Sequence, residues 1–412
     1  MPEDHTLHYR DMLNQASDQL SAYFQTPIHF SRIIQLSEPG RRNLILRLEI
    51  QASNTSTPNS IILKKTSINK KDGVKEVGES EQEQLSRFAH DWAGLEFLTQ
   101  IGGNHAPKFY AGNLEHQFIL IEDLGVDHPS LVGPLTRAST SENLQQAEIA
   151  LEAYVKRLGK MHADTAGKYA IFSAILNRIY PNALRYHFIP EVDFLDVLNL
   201  LKKLGYHSKE LAAEINDVFI FSQSKNDFNV LLHGDICPDN VYFRDNKILF
   251  IDFEFGDFGN ALIDGTYLRM SMPSCWCARN FPSSIINKME FLYREELKAK
   301  IISADNDAEY NKQLTYACAY WIIRSLQTLD ELELIEHEWI GSSGPVDSDS
   351  LWDPTQNAAR PRILSKLDAF ITLAKTMDHL PCLTTTLVSL LSYLKKTWPE
   401  TKYLDLYPVF KK

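Results

Sequence analysis

The hydrophobic positions near the amino terminus recur at helical spacing and then change to strand-like runs. An opening amphipathic helix is predicted by apolar residues three or four positions apart, namely Leu7, Met12, Leu13, Ala16, Leu20 and Phe24. Three short β-branched runs follow, RIIQL, NLILRLEI and SIILKK, and the turn-rich pieces SEPGRR and ASNTSTPN separate them. This pattern predicts an antiparallel meander, so a small sheet domain begins here.

The pattern then continues through one more helix and strand before it becomes mainly helical. A helix is predicted by the apolar stripe of Leu85, Phe88, Trp92 and Leu95, and QFILIEDLG predicts a strand that runs into a glycine-bearing connection. Beyond about residue 126 the sequence shows neither an internal repeat nor a long low-complexity segment. We therefore expect a bilobal α+β fold, with residues 1–124 forming an antiparallel-sheet lobe and residues 125–412 a larger helical lobe.

Composition and charge narrow the class of protein. The 412 residues are 44% hydrophobic and 23% charged, which suits a soluble globular enzyme with sizeable cores. The formal net charge of -11 disfavours generic binding to nucleic acid or to an anionic membrane. The amino-terminal segment MPEDHTLHYR lacks the apolar core of a secretory signal, and no uninterrupted apolar run is long enough to span a bilayer. These features predict a cytoplasmic protein without nucleic-acid or membrane partners.

The cysteines give no pattern of their own. They number five and stand at Cys237, Cys275, Cys277, Cys318 and Cys382. An odd number without paired spacing argues against a disulfide framework, so we expect buried thiols. The alternative, a metal site at the Cys275/Cys277 pair, lacks a second pair or a histidine-rich partner.

Residues 231–264 concentrate the polar chemistry of the chain. NVLLH and KILFID have strand composition, and RDN supplies turn residues between VYF and ILFI. A hairpin region of this kind is predicted to bring Asp235 and Asp252 to neighbouring ends, with both carboxylates facing one cleft. Asn240 follows Asp235 by five residues, close enough for its amide oxygen to join them. Oxygen ligands of this kind suit Mg²⁺, which prefers one or two carboxylates, waters and substrate phosphates.

The motifs HGDICPDN and IDFE carry a family resemblance. The spacing from His233 through Asp235 to Asn240, then an apolar strand ending in Asp252, resembles the aminoglycoside phosphotransferase and choline kinase branch of the protein kinase-like fold. Weaker features fall in the order that the resemblance requires, over roughly residues 30–270. Lys64 resembles the strand lysine that contacts nucleotide phosphates, and FILIEDLG, with Glu122 and Leu124, resembles the hinge strand. LGKMHA resembles the helix ahead of the catalytic loop.

Some positions differ from the residues that protein kinases or the phosphotransferase family usually carry there. Protein kinases usually carry a lysine and a glycine where Cys237 and Glu254 stand. The loop from Ser37 to Asn43 contains a single glycine, Gly40, so Ser37 or Asn43 could contact phosphate in place of a glycine-rich cradle. The family's helix glutamate, which pairs with the strand lysine, aligns best with Asp91, and Glu96 is a poorer fit on the helix face.

The resemblance implies transfer of the γ-phosphoryl group of ATP or GTP to a hydroxyl of a small molecule. It implies that Asp235 orients the hydroxyl and accepts its proton, that Asn240 and Asp252 hold Mg²⁺ with help from Glu254, and that Lys64 steadies the phosphates. His233 and Asp264 are then expected to brace the catalytic loop. Asp264 could also simply cap a helix over DGTYLRM, which would be compatible with the bracing role.

Two other functions remain open at this point. One is a nucleotide-binding pseudokinase, which Asp91 and the glycine-poor loop favour. The other is a metal-dependent hydrolase using His233, Asp235 and Asp252 as ligands. Protein-kinase activity is disfavoured, because no closing signature of the Ala-Pro-Glu type follows Asp252.

The acceptor and the oligomeric state are not predicted by the sequence. Residues 328–354 contain eight acidic residues and neither lysine nor arginine. We interpret this run as a solvated face, and the alternative is a subsite for an amine-bearing acceptor. Four tryptophans could line an acceptor pocket, although large aromatic side chains are more typical of a core. They are Trp276, Trp321, Trp339 and Trp352.

Overall fold

The computed structural model describes residues 9–38, 42–51, 57–66, 80–125, 130–244 and 247–411. The chain forms two compact units. The first comprises Met1–His128, Ala170–Leu184 and Phe250–Phe255, and the second comprises Pro129–Tyr169, Arg185–Leu249 and Gly256–Lys412. Two later segments of the chain therefore pack with the amino-terminal unit.

The secondary structure combines short strands with longer helices. The strands are β1 (His29–Gln35), β2 (Asn43–Gln51), β3 (Ser60–Thr66), β4 (Phe109–Asn113), β5 (Phe118–Glu122), β6 (Asn229–Leu232), β7 (Val241–Arg244), β8 (Lys247–Phe250) and β9 (Asp257–Asn260). The helices are α1 (Arg10–Phe24), α2 (Glu81–Ile101), α3 (Val132–Thr136), α4 (Ser141–Thr165), α5 (Tyr169–Ile179), α6 (Glu191–Lys203), α7 (Lys209–Gln223), α8 (Leu262–Gly265), α9 (Ser283–Lys298), α10 (Asp307–Glu331), α11 (Ala359–Met377) and α12 (Pro381–Thr397). The α+β fold class predicted from the sequence is confirmed.

The first unit contains a five-stranded antiparallel sheet in the order β1-β2-β3-β5-β4. The predicted meander of β1 to β3 and the predicted strand β5 are confirmed. The edge strand β4 was not predicted, because FYAGN contains glycine and asparagine and most of its residues are only half-buried. Such a strand depends on its partner β5 rather than on its own pattern.

The apolar face of α1 packs against this sheet. The core that results consists of buried side chains from α1 and the strands, namely Met12, Leu13, Ala16, Leu20, Ile28, Leu46, Leu48, Ile50, Ile61, Leu63, Phe118 and Leu120. The predicted helix is confirmed from Arg10 onward, whereas Leu7 lies outside the described residues. This core fixes β3 as the central strand that presents Lys64.

The second unit is mainly helical, with two small two-stranded sheets. β6 pairs antiparallel with β9, so that Leu232 lies opposite Asp257, and β7 pairs with β8. The turn residues Asp245 and Asn246 lie outside the described residues. Helices α4 and α9 pack closely at Gly159, where a Cβ atom would lie 2.7 Å from the Tyr293 carbonyl oxygen. In the part of the chain that is described, no helix is both long and apolar enough to cross a membrane.

Candidate active site

Lys64 lies on the central strand of the first unit. It is paired with Ile45 on β2 and with Ile119 on β5, so its backbone position is fixed from both sides. Its Nζ atom is 2.8 Å from Asp91 Oδ2 and 2.5 Å from Asp252 Oδ1. The structure thus brings three of the predicted site residues into direct contact within one unit.

The charge state of Lys64 follows from these neighbours. Burial by itself would lower the pKa of Lys64, because the charged amine loses hydration. The attraction of Asp252, Asp91 and Glu254 outweighs that loss and raises the pKa above its usual value. Lys64 therefore keeps its positive charge. Such a group can bind a phosphate, and it does not act as a proton acceptor.

Asp91 reaches Lys64 although its side chain is one methylene shorter than the glutamate that the family resemblance led us to expect. The second carboxylate oxygen, Oδ1, accepts a hydrogen bond of 2.9 Å from the backbone N–H of Phe253. Gly94 lies one turn further along α2, and a Cβ atom there would be 2.9 Å from the Cβ atom of Phe253. The helix therefore lies close enough to residues 252–254 for an aspartate to bridge the gap. Glu96 instead accepts from the indole N–H of Trp92.

Asp252 is placed differently from the other acids of this cluster. Its backbone has φ of 69°, in the left-handed region that a residue other than glycine adopts only when the surrounding structure holds it there. Its side chain is 35% exposed, whereas those of Asp91 and Glu254 are buried. Asp252 therefore presents a carboxylate that an incoming cation can reach.

Glu254 anchors the beginning of β2. Its Oε1 atom accepts a hydrogen bond of 2.9 Å from Asn43 Nδ2, and its Oε2 atom is hydrogen-bonded and ion-paired to Arg42. Lys64 Nζ and Arg87 Nη1 lie at 3.7 and 3.9 Å from the same carboxylate. The sequence did not single out Arg42 or Arg87, because neither lies in a motif. Three cations thus surround one buried carboxylate.

The other predicted nucleotide contacts lie in the same unit. The hydroxyl of Ser37 accepts a hydrogen bond of 3.1 Å from the backbone N–H of Ile45 and so helps to close the connection from β1 to β2. Gly40 lies outside the described residues. Glu122 is exposed at the end of β5, and Leu124 is half-buried just after it. Their contacts with a nucleotide stay predictions.

In the second unit, Asp264 holds the loop that follows β6. Its carboxylate accepts hydrogen bonds from the backbone N–H groups of His233, over 2.7 Å, and of Gly234, over 3.3 Å. Gly234 has φ of 78°, a conformation that glycine adopts at little cost. Burial alone would raise the pKa of Asp264, but the neighbouring His162 lowers it. Asp264 lies inside α8, which ends at Gly265, so the expectation that it also caps a helix over DGTYLRM is wrong.

His233 is buried behind this loop. Its Nδ1 atom accepts a hydrogen bond of 3.3 Å from the backbone N–H of Asp235. A buried ring nitrogen bonded to the loop backbone suits the bracing role that we expected of His233. Because the Nδ1 lone pair is engaged by the Asp235 N–H, that nitrogen does not serve as the metal ligand that the hydrolase alternative requires.

Asp235 and Asn240 are joined by a tight turn. A short 3₁₀ turn at Pro238–Asn240 returns the chain, and Asn240 Nδ2 lies 2.9 Å from the Asp235 carbonyl oxygen and 3.2 Å from Asp235 Oδ2. Ser274 Oγ donates to the other carboxylate oxygen, Oδ1, over 2.6 Å. The structure therefore brings Asp235 and Asn240 together, as their spacing predicts, and adds Ser274.

Two tyrosines that the sequence reasoning missed hold the backbone of the same loop. Tyr154 on α4 donates to the Ile236 carbonyl oxygen over 3.0 Å, and Tyr267 donates to the Gly234 carbonyl oxygen over 2.9 Å. Burial raises the pKa of both phenols well above the usual value, so they stay hydrogen-bond donors. Their distance along the chain from the loop left no local signal to find them by.

The prediction that the cysteines lack a disulfide is wrong. Cys237, two residues after Asp235, is bonded to Cys275, with their Cα atoms 5.4 Å apart. The two residues are separated by 38 positions, so only the fold reveals the pairing. Cys277 and Cys318 are buried free thiols, as expected, and burial raises the pKa of both. The Cys275/Cys277 metal site is excluded, because Cys275 is engaged in the bond.

The acidic run and the tryptophans resolve into ordinary structural roles. Seven of the eight acids in residues 328–354 are exposed, which supports the solvated-face interpretation.

Trp321 and Trp352 are buried, Trp276 is half-buried and donates to Asp239 Oδ2 over 2.7 Å, and Trp339 is exposed. The core interpretation thus holds for two of the four.

Each of the two units offers an oxygen donor of the type that magnesium prefers. No group of three or more His, Cys, Asp or Glu side chains forms a ready metal site among the residues that the structure describes. Mg²⁺ does not require such a cage, since it takes one or two carboxylates together with waters and phosphates. In the first unit, Asp252 offers an accessible carboxylate. In the second unit, the amide nitrogen of Asn240 is turned to Asp235, which directs the amide oxygen away from that carboxylate. Both donors are of the type that Mg²⁺ prefers.

Comparison with known proteins gives a family and structural neighbours. The model of the phosphotransferase enzyme family matches residues 77–280. Among solved structures, a choline/ethanolamine kinase family protein from Mesorhizobium loti is 13% identical and has a TM-score of 0.44, over 92% of this chain and 99% of that one. An ethanolamine kinase from Plasmodium vivax is 15% identical with a TM-score of 0.42, over 93% and 89%. A macrolide 2'-phosphotransferase from Brachybacterium faecium is 14% identical with a TM-score of 0.37, over 77% and 97%. A search of curated proteins found no match.

Proposed function

Because residues 77–280 belong to the phosphotransferase enzyme family, we propose that the protein transfers the γ-phosphoryl group of ATP, or of GTP, to a hydroxyl of a small molecule. The family assignment agrees with the resemblance that HGDICPDN and IDFE carry. The observation that carries the proposal is Lys64, a positively charged amine whose side chain is only 11% exposed and which is held by Asp91 and Asp252. A lysine held this way matches the charge of nucleotide phosphates.

The proposed reaction is a direct displacement. The acceptor oxygen forms a bond to the γ-phosphorus while the bond from that phosphorus to the β,γ-bridging oxygen breaks, and the nucleoside diphosphate leaves. Asp235 takes the proton that the acceptor hydroxyl loses. The backbone on both sides of Asp235 is held in place, because Asp264 accepts from the His233 N–H, Tyr267 donates to the Gly234 carbonyl oxygen and Tyr154 donates to the Ile236 carbonyl oxygen. A loop fixed in this way supports a defined position of the proton acceptor.

The remaining site residues would bind the nucleotide. Lys64 would steady the α and β phosphates, and Asn43 and Ser37 lie near the start of β2, where they could contact phosphate. Asn240 and Asp252 would hold Mg²⁺, with Glu254 assisting. The ion, when bound, neutralises charge on the phosphates.

The acceptor class belongs to the proposal as well. Neighbouring structures bear names of kinases that act on choline, ethanolamine or antibiotics, which are small molecules. We propose a small-molecule hydroxyl acceptor for this chain, and an amine-bearing acceptor is one option to include in a screen. The absence of nucleic-acid and membrane partners and the cytoplasmic location stay predictions.

Thermal unfolding with nucleotide is the first test. A ligand that binds only the folded state raises the unfolding midpoint, so ATP or GTP is expected to raise it more with MgCl₂ than without. The preferred nucleotide, labelled at the γ-phosphate, is then incubated with a panel of choline-like, sugar and aminoglycoside hydroxyl compounds, and label transfer is measured. Nucleotide binding without any turnover would indicate a pseudokinase. No shift with nucleotide, together with stabilisation by divalent metal alone, would overturn the proposal.

A further inference from the structure

The hydroxyl of Ser274 makes a short contact with the proposed catalytic carboxylate. Ser274 Oγ donates to Asp235 Oδ1 over 2.6 Å, and Asn240 Nδ2 lies 3.2 Å from Oδ2. Each carboxylate oxygen therefore has its own side-chain donor. Rotation of the carboxylate about its Cβ–Cγ bond would break both hydrogen bonds, so the pair fixes the plane of the carboxylate.

We propose that Ser274 is a positioning residue that sets the orientation of the Asp235 carboxylate for the acceptor hydroxyl. The inference rests on the proposed phosphotransferase function and names a residue outside its motifs. Ser274 thus acts through Asp235 and does not itself take part in the bond changes.

The chain on both sides of Ser274 is held in place. The preceding carbonyl oxygen, that of Pro273, accepts a hydrogen bond of 3.2 Å from the buried Nζ atom of Lys366. The following residue, Cys275, is buried and bonded to Cys237, which lies two residues after Asp235. The disulfide therefore ties the residue beside Ser274 to the loop that carries Asp235.

Because of the disulfide, Ser274 and not Cys237 is the hydrogen-bond donor to Asp235 Oδ1. The Cys237 sulfur lies 2.9 Å from Asp235 Oδ1, but a disulfide sulfur has no hydrogen to donate. The hydroxyl of Ser274 can supply that hydrogen, and it lies 3.2 Å from the hydroxyl of Tyr267. Ser274 therefore stands within a small network that includes the half-buried Asp235 and the buried Tyr267.

The test compares two substitutions of the same shape. Ser274→Thr keeps the hydroxyl, whereas Ser274→Val replaces it with a methyl group of similar volume. The readout is steady-state turnover of MgATP with the acceptor found in the screen, or with water as the acceptor. We expect Ser274→Val to lower kcat roughly ten- to hundredfold, because one hydrogen bond to a charged group is lost. The KM for ATP should change less than about twofold. Ser274→Thr should restore most of the rate, and Ser284→Ala, an exposed serine on α9, should match the wild type.

A double-mutant cycle separates positioning from a general structural effect. If Ser274 acts through Asp235, adding Ser274→Val to Asp235→Asn should cost almost nothing further. The inference would be overturned if Ser274→Val lowered kcat in the Asp235→Asn background as much as in the wild type. Equal kcat values for the Val and Thr variants would overturn it as well. A wild-type rate no higher than that of Asp235→Asn would instead overturn the proposed function. Should Ser274→Val unfold, Ser274→Ala takes its place in the comparison with Thr and in the cycle.

Discussion

Asp91 Oδ2 lies 2.8 Å from Lys64 Nζ, and the other oxygen of the same carboxylate accepts the backbone N–H of Phe253. One side chain on α2 therefore joins the central strand of the sheet to the segment that carries Asp252. The position of the lysine and that of the adjacent acid are set together. A change at Asp91 should then affect both.

Asp91→Asn tests this coupling. The amide keeps the shape and can still accept from Phe253 but loses its charge, so Lys64 is held less firmly. We expect the stabilisation by MgATP to shrink and phosphoryl transfer to fall roughly tenfold or more, as for a charged hydrogen bond. Thermal unfolding with and without MgATP and an initial-rate assay measure both effects. Glu96→Gln is the matched control on the same helix, because Glu96 contacts Trp92 and Arg178 and not Lys64. Equal losses in the two variants would contradict the role of Asp91.

Asp235→Asn and Asp252→Ala should separate catalysis from nucleotide binding. Loss of the proton acceptor is expected to lower phosphoryl transfer roughly 10²–10⁴-fold while the MgATP shift in the unfolding midpoint persists. Loss of the accessible carboxylate at Asp252 should abolish transfer and also reduce the Mg²⁺-dependent part of that shift. Rates and unfolding midpoints are measured on the same preparations, with the exposed Asp330→Asn as the control. Normal turnover in either site variant would remove the mechanism.

Asp264→Ala should destabilise the protein. The substitution leaves the buried N–H groups of His233 and Gly234 without their carboxylate acceptor, which is expected to lower the free energy of unfolding by about 2–4 kcal/mol. Asp264→Asn retains one acceptor oxygen and should cost less. Because the folded pKa of Asp264 is lowered, its contribution is complete at neutral pH and is lost as the pH falls below about 4. Urea unfolding at several pH values measures this, and a deficit that stays constant into acid would contradict it.

The buried Lys366 is expected to make the free energy of unfolding depend on pH above about pH 7. Burial, and secondly the nearby Arg362, lower the pKa of Lys366 from 10.5 to about 7 in the folded protein. Between these two values the unfolded chain binds more protons than the folded one, so this group makes stability rise with pH. The rise is at most about 1.4 kcal/mol for each pH unit above 7. We expect the wild type to gain stability from about pH 7 to pH 9 relative to Lys366→Met in urea unfolding. Parallel curves for the two proteins would show that Lys366 does not titrate in this range.

The disulfide predicts a thiol count. Cys277, Cys318 and Cys382 are free, so the unfolded, unreduced protein should react with a thiol reagent at three positions. A dithiol reductant passes two electrons and two hydrogens to the Cys237–Cys275 bond and should raise the count to the five of the sequence. Cys237→Ser should give four thiols without reductant, because Cys275 loses its partner. Five reactive thiols before reduction would show that the bond does not form.

The sequence by itself determined the elements and motifs whose signals are local. The spacing of apolar residues in α1 and the β-branched runs of β1 to β3 predicted those elements, because each signal depends on neighbouring positions only. The order of HGDICPDN and IDFE predicted the family, since a motif is also a local pattern. The contact of Asn240 with Asp235 follows from their short separation in a tight turn.

Only the tertiary structure decided the relationships between distant residues. Whether Asp91 reaches Lys64 depends on how closely α2 lies to residues 252–254, which Gly94 permits. The pairing of Cys237 with Cys275 and the contact of Ser274 with Asp235 join positions almost forty residues apart, and nothing in the local pattern specifies them. The physical reason is that such contacts depend on packing distances of a few tenths of an ångström, which many residues set together.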